Sequence, residues 1–218
     1  YREALEALKR QAVVYPCGCT RAELAAAPAG IDGAPVYPGT CRAGLPPGKQ
    51  ARAWRLRVTG TIDFVDLVQG AQHQDLAREV GDFVLLRADG LFAYQLAVVV
   101  DDADQGVDHV VRGADLIFST ARQIFLQRLL GLPTPQYAHL PVAVDAKGAK
   151  LSKQTKAAPV DALDPVPALL AAARFLGMQP PSCRLASAEF WAWAHENWRL
   201  GKVPRLATRQ MEEVSYSR

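Results

Sequence analysis

Three cysteines fall close together in the sequence: Cys17-Gly-Cys19 and, closing Tyr37-Pro-Gly-Thr-Cys41, a third. Zinc takes about four N, S or O ligands at tetrahedral corners, and thiolates are its usual structural choice. A Cys-x-Cys pair supplies two ligands from one tight turn, and Cys41 brings another from a second loop. By residue type the fourth ligand is open: Tyr37 is an unusual one, and His73 and Cys183 are candidates. Three buried reduced thiols are the alternative reading. Four cysteines in 218 residues are too few for a disulfide scaffold. Their clustering points instead to a reducing compartment and a metal.

A second group is basic. Lys150-Leu-Ser152-Lys153-Gln154 follows a turn, Asp145-Ala-Lys-Gly148. Lysines on a loop can neutralise a polyphosphate and the charge that develops as a phosphoryl bond breaks. On these residues alone a solvated basic turn is the simpler account. Tyr94 and Arg112 form a third pair, because a guanidinium binds a carboxylate bidentately and a phenol can add a hydrogen bond. An ordinary strand tyrosine, and an ion pair of Arg112 with Asp101, Asp102 or Asp115, are the alternatives. His109 and His139 have no Ser or Cys partner at informative spacing and are read as structural.

These groups need elements to hold them. Ala4, Leu5 and Leu8 share one face of a predicted opening helix. Residues 15–50, rich in Pro, Gly, Ala and Cys, read as loops around a small nucleus. Trp54, Leu56 and Val58 then alternate with Arg55, Arg57 and Thr59, which predicts a strand; Ile62, Phe64 and Leu67 predict another. Asp89-Gly90 predicts a hairpin turn between Phe83–Arg87 and Leu91–Val100. The apolar run Leu96–Val100 reads as a strand covered on both faces, with a ligand expected where it meets Asp101 and Asp102. Tyr94 and Arg112 would then point to one sheet edge.

Ser119 or Thr120 is expected to cap a helix carrying Ile124, Phe125 and Leu129, ended by Gly131 and Pro133. Leu140–Val144 reads as a short strand. Pro165 suits a first helical position, with Gly177 ending that helix. Phe190, Trp191 and Trp193 read as the core stripe of a second helix.

Half the residues are hydrophobic and 22% are charged, which excludes wholesale disorder. The formal net charge of +3 is too small to mark a nucleic-acid binder, although the last twenty residues carry all of it. No apolar run approaches the roughly 18 residues of a membrane span, and no membrane association is expected. The front has no basic segment followed by an apolar one, so no secretory signal is expected. The chain opens on Tyr1 without a capping residue before its helix, and a fragment is expected.

Taken together, these residues resemble the class I glutamyl-tRNA synthetases, and most closely their short paralogues. Tyr94-Gln-Leu-Ala-Val-Val-Val-Asp-Asp102, Gln105-Gly-Val107 and Val111-Arg-Gly-Ala-Asp-Leu-Ile117 read like that family's second half-site. Lys150–Gln154 looks like its form of the KMSKS loop, and the Cys-x-Cys with Tyr-x-x-x-Cys looks like its zinc site. The motifs occur in the family's order and cover about residues 1–200. The resemblance implies an α/β chain, the C-terminal portion of a Rossmann-type catalytic domain, with a zinc-containing α+β insertion and a C-terminal helical segment. The implied division is the end of the first Rossmann half at 1–14, the insertion at 15–90, the second half at 91–145, and the KMSKS-like loop with a helical stem-contact-like segment at 146–218.

It further implies ATP-dependent activation of glutamate and transfer of the glutamyl group to queuosine in the anticodon of tRNA(Asp). Tyr94 and Arg112 would hold glutamate. Lys153, with Lys150 and Ser152, would act on the ATP phosphates, with Mg2+ accompanying the nucleotide. Cys17, Cys19, Tyr37 and Cys41 would hold structural Zn2+, in a cytoplasmic monomer. The family's first half-site, a Gly-rich turn with a His-x-Gly-His-like signature, has no match between Tyr1 and Arg218, and the span from Cys19 to Tyr37 is long for the family. A polypeptide lacking that half-site is expected to be inactive alone. A glutamyl-tRNA synthetase that charges the tRNA end is the near alternative, and Gln154 in place of a basic residue speaks against it. A non-catalytic zinc-containing tRNA-binding module and a functionless fragment are the others.

Overall fold

The computed structural model describes residues 1–152, 157, 159–183 and 185–211. In chain order its elements are α1 (Arg2–Arg10), β1 (Val14–Cys17), α2 (Arg21–Leu24), β2 (Ala53–Leu56), β3 (Thr61–Asp66), β4 (Gly70–Asp75), α3 (Leu76–Glu79), β5 (Phe83–Leu86) and α4 (Tyr94–Asp104). They continue with β6 (His109–Gly113), a 3-10 turn (Ala114–Leu116), α5 (Ile117–Leu130), β7 (Gln136–Leu140), β8 (Val142–Val144), α6 (Val166–Phe175), α7 (Ser187–Asn197), a second 3-10 turn (Leu200–Lys202) and β9 (Thr208–Gln210). No helix among the described residues is long and apolar enough to cross a membrane. The chain divides into two compact units: residues 1–64, 71–110 and 117–136 form the first, and 65–70, 111–116 and 137–218 the second.

In the first unit α1 forms as its spacing predicts, burying Leu5 and Leu8 while its charged residues face water. It packs on β1 and α5, and α4 packs on α5 and β5. A three-stranded antiparallel sheet runs β1-β2-β5. Its middle strand departs from simple alternation, because Arg55 is buried along with Leu56. The Asp89-Gly90 turn forms, with Arg87 N–H donating to the Leu91 carbonyl and Gly90 at φ +80°.

The arm that leaves the turn makes one bridge, Leu86 to Phe92, and then becomes α4 rather than the expected strand. A continuous apolar run reads alike in a buried strand and a buried helix, so periodicity cannot separate them. Here Leu96 and Val99, three apart, are the fully buried pair. Burial of that face outweighs the few tenths of a kcal/mol by which each β-branched residue disfavours a helix. Asp101 consequently sits in the later turns of a helix, where both carboxylate oxygens accept from the Tyr1 hydroxyl at 2.6 and 2.7 Å, and not at a strand end. Ser119 and Thr120 likewise lie inside α5, buried, and do not cap it.

In the second unit the end of β3 runs parallel to β7, with Asp66 opposite Tyr137. β8 pairs in parallel with β9, a strand that the basic composition of the C-terminal stretch did not suggest. Val68, Ala138 and Val203 form a core with Leu140, Leu176 and Leu200 against it. Pro165 precedes α6 and Gly177 ends it as expected. The expected stripe on α7 is only partly a core: Phe190 is 4% exposed, whereas Trp191 is 52% exposed.

Candidate functional site

The cysteine cluster is built where β1 ends. Cys17 is the last residue of that strand, and Gly18 lets the chain pass so close to the Gln50 carbonyl that a Cβ would stand 2.8 Å from it. Cys19 then leads into α2, whose start is closed by a reciprocal Thr20–Glu23 capping box. Tyr37 and Cys41 come from the loop that follows. The three cysteine sulfurs lie within 4.8 Å of one another. Cys19 and Cys41 Sγ are 3.7 Å apart, and the Tyr37 hydroxyl is 3.4 Å from Cys17 Sγ and 3.6 Å from Cys19 Sγ. With Zn–S near 2.3 Å and Zn–O near 2.0 Å, tetrahedral coordination requires S···S of about 3.7 Å and S···O of about 3.5 Å. The three separations of 3.4, 3.6 and 3.7 Å match that geometry. Of the other candidates for a fourth ligand, His73 is exposed and bonded to Asp63 at 2.6 Å, and Cys183 is exposed in the second unit.

A polar platform beneath the cluster was not legible from sequence. Arg55 Nε donates to Cys17 Sγ at 3.3 Å, and its guanidinium lies 4.0 Å from the centre of the Tyr37 ring. Arg55 also donates to the Asp82 carbonyl at 2.8 Å, while the Asp82 carboxylate accepts from Arg42, the Tyr15 hydroxyl and the Val58 N–H. Burial opposes ionisation of Asp82, but those donors hold its carboxyl below the usual range. Burial opposes ionisation of Cys17 too; donation from the Tyr37 hydroxyl, the Cys19 backbone and Arg55 nevertheless brings its thiol down to about 7. Burial and the three sulfurs push the Tyr37 phenol up. Its oxygen accepts the Cys41 N–H at 2.8 Å, so the ring is aimed into the cluster from both ends.

Tyr94 begins α4 in the first unit and is half exposed. Gln95 beside it is held by Ser119 at 3.1 Å and Gln123 at 3.0 Å, which ties the first turn of α4 to α5. Arg112 lies on β6 in the second unit. Its Nε donates to His139 Nε2 at 3.0 Å, and its guanidinium stands 5.5 Å from the centre of the Tyr137 ring. His139 is fully buried, and its Nδ1 is 2.6 Å from Asp66 Oδ2. Since Nε2 accepts from Arg112, Nδ1 carries the proton and donates to Asp66. The chain Asp66–His139–Arg112 thus sets the angle of the guanidinium. Sequence could not find it, because Asp66 and His139 are 73 residues apart and meet only through β3 and β7.

Lys150 Nζ donates to Asp115 Oδ2 at 2.5 Å. Ser152 is among the described residues, whereas Lys153 and Gln154 lie outside them. His109 is exposed and bonded to its neighbour Asp108.

Residues 49–189 match the family "tRNA synthetases class I (E and Q), catalytic domain", and the chain belongs to that family. Among its relatives are proteins named "Glutamyl-Q tRNA(Asp) synthetase". The one from Aromatoleum aromaticum is 59% identical over 94% of this chain and 66% of that protein. The one from Dechloromonas aromatica is 57% identical over 94% of this chain and 70% of that protein. The chain therefore spans about two thirds of the length of these relatives. The glutamate-tRNA synthetase of Elizabethkingia anophelis shares the fold, with a TM-score of 0.71 at 20% identity over 97% of this chain and 50% of that one.

Proposed function

We propose that this chain is part of an enzyme that activates glutamate with ATP and transfers the glutamyl group to queuosine in the anticodon of tRNA(Asp), in the reducing cytoplasm. The observation that carries the reading is the identity of 57–59% to relatives bearing that name, with Arg112 and Tyr94 present in the stretch that resembles the family's second half-site. Arg112, its angle set by His139, takes the α-carboxylate or side-chain carboxylate of glutamate as a bidentate partner, and Tyr94 adds a hydrogen bond. Lys153, supported by Lys150 and Ser152, offsets the charge that develops on the phosphates, with Mg2+ on the ATP. Cys17, Cys19, Tyr37 and Cys41 hold a structural Zn2+ that pins the loop of residues 37–41 to the end of β1.

Glutamate-dependent ATP–pyrophosphate exchange by the native protein, measured without tRNA, tests the reading. Exchange is expected; strict dependence on tRNA would favour the ordinary glutamyl-tRNA synthetase, and no adenylate with or without tRNA would favour a binding module. Arg112→Ala should raise the glutamate KM steeply and leave that for ATP little changed. Lys153→Ala should instead slow adenylate formation more than it weakens glutamate binding, because its charge acts mainly in the transition state.

A further inference from the structure

In the second unit, α6 and α7 with the segments that leave them enclose a groove of about 340 Å3. Leu169, Leu176 and Met178 come from the first pair of segments, and Trp191, His195 and Trp198 from the second. Its size is at the lower end of pockets that take small ligands, about 300 to 1,000 Å3. Trp191 is 52% exposed and Trp198 37% exposed, so the aromatic surface is presented to solvent rather than used as core. Trp191 and His195 stand one turn apart on α7 with ring centres at 6.4 Å.

Basic residues stand near the end of the groove where α6 and α7 finish. Arg199 follows Trp198 directly and donates to its carbonyl at 2.7 Å. The Lys202 backbone packs against Gly177, between the lining residues Leu176 and Met178. Arg209 donates to the carbonyls of Arg174 and Phe175 at the end of α6. Carbonyls orient these cations without neutralising them, and among the described residues none of Arg174, Arg199, Lys202 or Arg209 takes part in an ion pair. Of the two acids on α7, Glu189 accepts from the Ala186 N–H at the helix start, and Glu196 is exposed beside His195, against four cations at the ends of the two helices.

We propose that this groove is a nucleobase site: an unpaired base of single-stranded RNA enters it, stacks on Trp191 or Trp198, and lays its phosphates against Arg199, Lys202 and Arg209. The proposal rests on the reading that the protein acts on tRNA, and it adds where an unstacked base would go. Exposed aromatic planes near cations that form no ion pair among the described residues suit a ligand that joins a flat apolar ring to a regularly spaced anion, which is what a single strand offers. A second copy of this chain would bring the same positive charge and be repelled. His195, whose ring makes no hydrogen bond among the described residues, is free to meet a base edge.

Fluorescence anisotropy on the full chain, with a short single-stranded RNA and a blunt RNA duplex as probes, tests this. Trp191→Ala should weaken single-strand binding about tenfold or more and leave duplex binding within about twofold, since phosphate contact alone serves the duplex. Trp191→Phe should recover most of the loss. The double variant Arg199→Gln, Lys202→Gln should weaken both probes and flatten the salt dependence. Trp191 is half exposed, so its loss should leave the fold intact, which circular dichroism checks; Trp198→Ala gives a second reading of the same effect. Equal loss for both probes, no loss for either, or a shift from dimer to monomer in sedimentation on Trp191→Ala would overturn the proposal. Pyrophosphate exchange by the native protein, with and without tRNA, separates the two claims. An active enzyme whose single-strand binding ignores Trp191 sinks the groove alone. A native protein that forms no adenylate with or without tRNA, yet whose single-strand binding still depends on Trp191, sinks the glutamate reading alone.

Discussion

At the scale of single residues, the cysteine cluster and the Arg112 chain make different demands on their partners. A zinc ion held by the cluster would need four donors at fixed mutual distances, and the Tyr37 oxygen stands 3.4 and 3.6 Å from two of the sulfurs. Purified protein should contain about one equivalent of zinc by elemental analysis, falling well below that in Cys41→Ser. Tyr37→Phe should keep the fold of the loop but lose zinc to a chelator about 10- to 100-fold more readily; unchanged retention would remove Tyr37 from the ligand set. Arg112 depends on a neutral imidazole. His139→Phe deletes the acceptor for Arg112 Nε and leaves Asp66 buried without its imidazole donor. His139→Gln preserves some hydrogen-bonding capacity in a similar volume. The glutamate KM should rise about tenfold or more in His139→Phe, with the ATP KM nearly constant and partial recovery in His139→Gln. A proportional rise in both KM values would mean that His139 serves packing only.

At the scale of elements, the end of α6 shows how one backbone position governs a neighbouring segment. Gly177 adopts φ +86°, and a Cβ there would stand 2.4 Å from the Lys202 carbonyl oxygen. Left-handed backbone disfavours any side chain by about 1–2 kcal/mol, and the contact with a carbonyl adds to that. Gly177→Ala should therefore destabilise the second unit by about 2–4 kcal/mol in denaturant unfolding, with loss of the groove between α6 and α7. A change within about 0.5 kcal/mol would show that the Lys202 segment moves aside at little cost. The same logic explains α4: its helical state comes from what Leu96 and Val99 pack against, since the local preference of a valine run is for a strand.

For the whole molecule, acid should act on both units but not at the same pH. Asp82 in the first unit and Asp66 in the second are buried carboxyls held below their ordinary value of 3.8. Each contributes stability that is fully present above that value and is lost as pH falls through the lower folded value. His139 adds to the second unit in the same direction. Burial outweighs its hydrogen bond to Asp66 and holds it below its ordinary 6.5, so the unfolded chain gains a proton that the folded one refuses. Hydrogen exchange should thus show the second unit weakening from about pH 6.5 downward, while the first stays protected until the carboxylate range. Simultaneous loss, or no loss of protection in residues 137–144 between pH 7 and 5, would contradict this ordering.

Some of this was fully legible in one dimension. The α1 face, the Asp89-Gly90 turn, the stop at Gly177 and the close spacing of Cys17 and Cys19 are local, because each depends on a few neighbouring residues and on conformational preferences they carry alone. The family could be read as well, since its motifs are contiguous words in a fixed order. What tertiary structure alone decided is everything that joins distant residues. It turned Leu96–Val100 into a helix, buried Arg55 under the cysteines, exposed Trp191 instead of hiding it, and brought Asp66 to His139 and His139 to Arg112. Periodicity reports which residues avoid water but not what they meet. A carboxylate, an imidazole and a guanidinium separated by dozens of residues show no shared pattern until β3, β6 and β7 lie side by side.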